Sequence, residues 1–293
     1  MRPSLALRFL FLPLLTGCPS APPPASLLPN ATAAIDRMRA TAACGTSVQA
    51  SAKIDHFGKG GRVRGDLLMF VALPARIRMD IVSPFGATVA TLTSDSQKFA
   101  LTDLREKRFY VGPASACNIA RLTTVPIPGP VLVDLLRGQA PVLKHGSSAM
   151  TLEWDKKGYY VLRVPSTRNA VEEVHLVPRP EDFGKEWSQQ RMRVLDVTVF
   201  QEGLVLYHAE MNDHAVAPMA KPRIDPDGID PPIPPSGPFC DAELPRRIHV
   251  DVPGLGEDVL FRYDQVTWNP PLAEGTFVQQ RPPMMTVTPV TCE

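Results

Sequence analysis

The chain of 293 residues lacks the spacings that mark most catalytic and metal sites. No two of its five cysteines lie two to four residues apart, which excludes the usual zinc spacing and a redox Cys-x-x-Cys. No Gly-x-Ser-x-Gly elbow occurs, and Gly146-Ser147-Ser148 has no second glycine in register. Phosphate loops and dinucleotide fingerprints are absent as well. His208 and His214 are six residues apart, so they do not share a helical face as the histidines of a zinc protease do. Asp225-Pro226-Asp227-Gly228-Ile229-Asp230 offers oxygens to calcium but has no later glutamate of an EF-hand loop, and its prolines read as a plain loop. A non-enzyme without metal or cofactor is therefore expected. Excess charge is also missing: 31 basic residues against 30 acidic ones give a net charge of +1 and no electrostatic footprint for nucleic acid.

Long apolar runs are missing too. The longest, Phe9-Leu10-Phe11-Leu12-Pro13-Leu14-Leu15, is too short to span a bilayer and is interrupted by Pro13. With Arg2 and Arg8 around it and small residues after it, residues 1–17 read as a signal peptide. Leu15-Thr16-Gly17-Cys18 resembles the lipobox of bacterial lipoproteins, which implies that Cys18 carries the lipid. Setting Cys18 aside leaves Cys44, Cys117, Cys240 and Cys292, an even set suited to two disulfides in an oxidising compartment. Three pairings are possible, and the expected one joins Cys44 to Cys117 and Cys240 to Cys292.

Residues 18–31 carry Pro19, Pro22, Pro23, Pro24 and Pro29 and read as an extended tether that lets the body stand off the bilayer. Ile35, Met38 and Ala42 have helical spacing behind Thr32 as a possible cap. After Gly45 the period becomes two. Ile77, Met79 and Ile81 alternate with Arg76, Arg78 and Asp80, and similar faces are formed by Val205, Tyr207, Ala209 and Met211 and by Ile248, Val250 and Val252. Further strands are expected near 47–57, 63–73, 87–94, 97–102, 106–111, 149–154, 158–164, 171–177, 192–200 and 258–267. The fold class is mainly β with some α, one antiparallel meander over 32–293 curled into a half-barrel. Two segments break the rhythm. Val131, Leu132, Leu135 and Leu136 form an apolar helical stripe ended by Gly138, and residues 218–238 hold eight prolines, which places them in a surface loop.

A curled sheet with an apolar inner face makes a cavity suited to alkyl chains, each buried methylene contributing about 0.8 kcal/mol. Ile77, Met79 and Ile81, with Leu132, Leu135 and Leu136 above them, are its candidate lining; ordinary core packing is the other reading of the same residues. Phe85 sits between Pro84 and Gly86, where it either projects outward or folds back onto the barrel.

These motifs resemble a known family. Arg76-Ile77-Arg78-Met79-Asp80-Ile81-Val82-Ser83-Pro84-Phe85-Gly86-Ala87-Thr88 is similar to the strand, turn and strand of LolB, the outer-membrane lipoprotein receptor. Val125-Pro126-Ile127-Pro128, then Leu132, Leu135-Leu136 and Gly138-Gln139-Ala140-Pro141, looks like that family's proline-initiated helix. Leu260-Phe261-Arg262-Tyr263, Val266, Trp268-Asn269 and Phe277 resemble the last strands of the wider LolA/LolB group. The resemblance implies an antiparallel half-barrel closed by helices and a cavity that accepts lipoprotein acyl chains or another apolar ligand. It also implies delivery of lipoproteins to the outer membrane, a periplasmic lipoprotein carrier as partner, and a membrane-engaging role for Phe85. Pro19 and Ser20 after Cys18, with no aspartate there, imply outer-membrane, periplasm-facing placement. The chain departs from the family in its greater length, its proline loop and its extra cysteines. Those departures leave open a lipid-anchored envelope protein that binds another ligand or acts as a non-catalytic scaffold.

Overall fold

The computed structural model describes residues 21–59, 61–146 and 149–292. The signal-peptide and lipobox readings, Cys18 included, and the serines of Gly146-Ser147-Ser148 lie outside the described residues.

Helix α1 (Ala31–Ala42) comes first. Its cap is Asn30 and not Thr32: the Ala33 N–H donates to Asn30 Oδ1 at 2.9 Å, satisfying one of the free donors of the first turn. Ala34, Ile35 and Met38 bury the face that packs on the sheet. Strands β1 (Ser47–Gly58), β2 (Gly61–Ala72), β3 (Arg76–Val82), β4 (Thr88–Asp95), β5 (Lys98–Asp103) and β6 (Arg108–Pro113) follow as a meander of hairpins. Helices α2 (Ala116–Thr123) and α3 (Gly129–Leu136) interrupt it. A second meander then runs through β7 (Thr151–Asp155), β8 (Tyr159–Pro165), β9 (Ala170–Pro178), β10 (Met192–Gln201), β11 (Leu204–Val216), β12 (Glu243–Val252) and β13 (Glu257–Trp268). Antiparallel pairing of β13 with β1 joins the two meanders into one sheet that does not close, with the order β14-β6-β5-β4-β3-β2-β1-β13-β12-β11-β10-β9-β8-β7. Its last member, β14 (Thr286–Pro289), lies parallel on β6 and was not expected from sequence. The expected architecture, a curled antiparallel half-barrel with short helices, is the one observed.

The tether does not stand clear of the body from Ala21 onward. Ala21 N–H donates to Lys156 O, Ala25 N–H to Phe183 O and Leu28 N–H to the Tyr160 hydroxyl. An extended proline-rich segment makes no hydrogen bonds within itself, so its donors are free to bond to a neighbour.

The disulfides differ from the expected pairing. Cys44 joins Cys240, with Cα atoms 5.0 Å apart, and Cys117 joins Cys292, with Cα atoms 6.2 Å apart. Sheet order explains the difference. Cys44 precedes β1 and Cys240 precedes β12, and both strands flank β13, so the two cysteines meet at one end of the sheet. Cys117 lies in α2 just after β6, and Cys292 follows β14, which runs beside β6 in the same direction. The first bridge fastens the end of the proline loop, whose Ile224, Ile229 and neighbouring Phe239 stay exposed.

Candidate functional site

The inner face of β3 is filled. Ile77, Met79, Leu132, Leu135 and Leu136 are all at most 3% exposed, Ile81 is partly buried, and together they belong to one contiguous core. Helix α3 lies on β2 and β3, and its apolar stripe occupies the space that an open cavity would need. The same helix is fixed at its far end, where Tyr263 donates its hydroxyl hydrogen to Leu136 O and Arg137 donates to Gly45 O.

An open apolar space lies elsewhere, over β9 to β12. A cleft of about 690 Å³ runs between the segment entering α3 and the ends of those strands. Ile127 and Val131 form one wall, and Val199, Tyr207 and Val252 form the other. Val199 pairs with Tyr207, and Val252 lies one step beyond the His208–Asp251 pair on the next strand, so these three residues form a row across β10, β11 and β12. Exposed Leu206, Lys144 and Arg168 border the opening. Such a volume and lining suit a small apolar ligand or an acyl chain. None of the six residues expected to line a cavity borders this cleft. Pro128 also borders it, because the proline-initiated entry to α3 supplies one of its walls.

Two buried polar side chains continue this row: Tyr207, which lines the cleft, and Glu172, which stands behind Val199. Glu172 pairs with Val199 from the other side, so Glu172, Val199 and Tyr207 follow one another across β9, β10 and β11. Glu172 is fully buried; one carboxyl oxygen accepts the Leu143 N–H at 2.7 Å and the other, Oε1, has no partner. Burial pushes its carboxyl up to about 7; the Leu143 N–H opposes the rise, nearby Asp134 adds to it and Arg39 opposes it. The Tyr207 hydroxyl is also buried and unpartnered, and burial pushes it far up with help from Glu172 and Asp134. Sequence reasoning placed Tyr207 on an inward face but passed over Glu172. The signal was present: Glu172 has the same parity as Val174 and Leu176, which sets one carboxylate among inward apolar residues.

Phe85 is 97% exposed. Its turn is closed by Gly86 N–H donating to Ser83 O at 2.9 Å, with Gly86 at φ +82°, which glycine adopts without strain. Of the two histidines weighed as ligands, His208 bonds to Thr198 at 2.7 Å, whereas His214 is partly buried. Asp225 accepts the N–H groups of Ile229 and Asp230, so its carboxylate closes its own loop. Among the described residues, no three His, Cys, Asp or Glu side chains converge as a metal site would require.

No family model matches the chain, and no curated protein matches it. Solved structures do. One is a DUF1329 family protein from Desulfovibrio piger, with a TM-score of 0.51 at 9% identity over 84% of this chain and 96% of that one. Another is a LolA superfamily protein from Nitrosomonas europaea, with a TM-score of 0.48 at 11% identity over 85% and 98%. A putative outer membrane lipoprotein-sorting protein domain from Vibrio parahaemolyticus aligns with a TM-score of 0.47 at 13% identity over 85% and 95%. The likeness is one of fold.

Proposed function

We propose that this chain is a lipid-anchored protein of the bacterial envelope that takes a lipoprotein acyl chain, or another single-chain apolar ligand, into the cleft over β9–β12, and that it helps to receive or insert lipoproteins at the outer membrane. The observation that carries this reading is the apolar cleft of about 690 Å³, walled by Ile127, Val131, Val199 and Val252. The LolB-like motifs, the Leu15–Cys18 run and the two cysteine bridges support it.

Strand directions set which features share one end of the sheet. Ala21 meets the sheet at Lys156, in the β7–β8 turn, whereas the cleft opens at Ser166–Ala170, between β8 and β9. Strands of this length separate the two by roughly 25 Å. Phe85, in the β3–β4 turn, lies at the same end of the sheet as the cleft mouth, so a bilayer that takes up Phe85 also meets the cleft.

A second reading has its own support. The filled face of β3 leaves less room than a fully open half-barrel, and the proline loop exposes Ile224, Ile229 and Phe239. In that reading the protein is a non-catalytic scaffold anchored by the same lipid. The two are separated by titrating a fluorescent fatty acyl probe into the protein and into Leu206→Glu, which places a charge at the cleft border. The ligand-binding reading expects saturable binding that the substitution weakens about tenfold or more; absence of binding leaves the scaffold.

A further inference from the structure

Tyr207 and Glu172 are the polar members of a row that is otherwise apolar. Both point to the inner face of the sheet, on β11 and β9, with Val199 between them. Two strand spacings put their backbones ~10 Å apart, within reach of one ligand group held between a tyrosine and a glutamate side chain. Each carries a buried polar atom with no hydrogen-bond partner, Tyr207 Oη and Glu172 Oε1. Unpaired buried polar atoms are costly; Tyr207 lines the cleft, and Glu172 lies one strand beyond Val199, where it accepts the N–H of the lining residue Leu143.

We propose that Tyr207 and Glu172 form a polar end to the cleft, which binds an uncharged hydrogen-bonding group, a hydroxyl or an amide, on a single-chain amphiphile. This rests on the reading of the cleft as an apolar-ligand site and specifies its ligand further. An anionic group is disfavoured there, because it too has to give up its water and it lies in the same row as the Glu172 carboxyl. A cationic group has to give up its water in an apolar cleft. A hydroxyl or amide has both a donor and an acceptor to offer. The tyrosine hydroxyl takes either role, and the carboxyl accepts when ionised and donates when protonated. Burial holds that carboxyl near the point where both forms are present at neutral pH.

The test uses the full chain carrying Cys18→Ser, with 1-N-phenylnaphthylamine as a neutral reporter of cleft occupancy and 1-decanol and 1-chlorodecane as competitors. Tyr207→Phe removes only a hydroxyl without a partner, so its fold is expected to stay unchanged, and each competitor is read against the variant's own reporter affinity. One neutral hydrogen bond corresponds to about a fivefold change in affinity. Decanol is therefore expected to compete about fivefold less well with Tyr207→Phe than with the parent, while chlorodecane competes equally with both; Glu172→Gln is expected to alter the decanol value alone. If decanol and chlorodecane respond alike in both variants, the polar end is refuted and the apolar cleft stands. If the reporter fails to bind the parent protein, the cleft reading itself falls and this inference falls with it.

Discussion

Glu172 makes stability depend on pH. Its carboxyl is raised in the folded protein to about 7 from an ordinary value of 4.5, so the fold favours the protonated form. The stability this contributes is complete below about pH 4.5 and is lost as pH rises through 7, by up to a few kcal/mol. Glu172→Gln is neutral throughout. Its melting temperature relative to the parent is expected to climb between pH 5 and pH 8; a constant difference over that range contradicts the assignment. His214 acts in the opposite sense. Burial lowers its imidazole to about 4, so its contribution is present above about pH 6.5 and lost on acidification. Phe85 is a residue-scale matter of another kind. Exposed on a turn with no packing partner, it tolerates Phe85→Glu within about 0.5 kcal/mol of stability. The variant is expected to fold and bind an acyl probe yet fail to pass lipoproteins to membranes in cells depleted of the parent protein. Burying the ring at a bilayer supplies on the order of 2 kcal/mol, enough to orient the protein but not to hold it there. Normal transfer by a folded Phe85→Glu protein removes the membrane role.

At the scale of elements, most strands were legible because one face is wet and one is dry. Arg76 to Asp80 alternates in sequence and in burial, and so do Val205 to Met211. Strand β14 was not legible: it is four residues long, follows Pro282 and Pro283 closely and includes Pro289, and it owes its place to backbone pairing with β6 and to the Cys117–Cys292 bridge. The pairing of the cysteines depends on which strands become neighbours across more than 170 residues of chain, and local pattern carries no such information. Peptide mapping of the non-reduced protein is expected to return Cys44–Cys240 and Cys117–Cys292; a Cys44–Cys117 peptide contradicts the sheet order. Asn30 is a smaller element-scale case. Asn30→Ala leaves the Ala33 N–H without its acceptor and is expected to lower stability by about 1 kcal/mol in denaturant unfolding.

For the whole molecule, the sequence carried the fold class and the presence of an apolar interior, but not the location of the open part of that interior. Ile77 and Met79 looked suited to line a cavity, and α3 covers them instead. The cleft draws on the α2–α3 connection, the β8–β9 turn and the ends of β10, β11 and β12, segments far apart in the chain whose convergence depends on how the sheet curls. The segment from Ala21 docks at the β7–β8 turn, at the other end of the sheet from the cleft. The most direct test of this arrangement is photo-crosslinking with a diazirine-bearing fatty acid, followed by mapping of the modified peptides. The account predicts adducts in residues 126–131, 166–170 and 199–207 that excess unlabelled fatty acid suppresses. Adducts concentrated on β2 and β3 around Met69 and Met79, or none that competitor removes, contradict it.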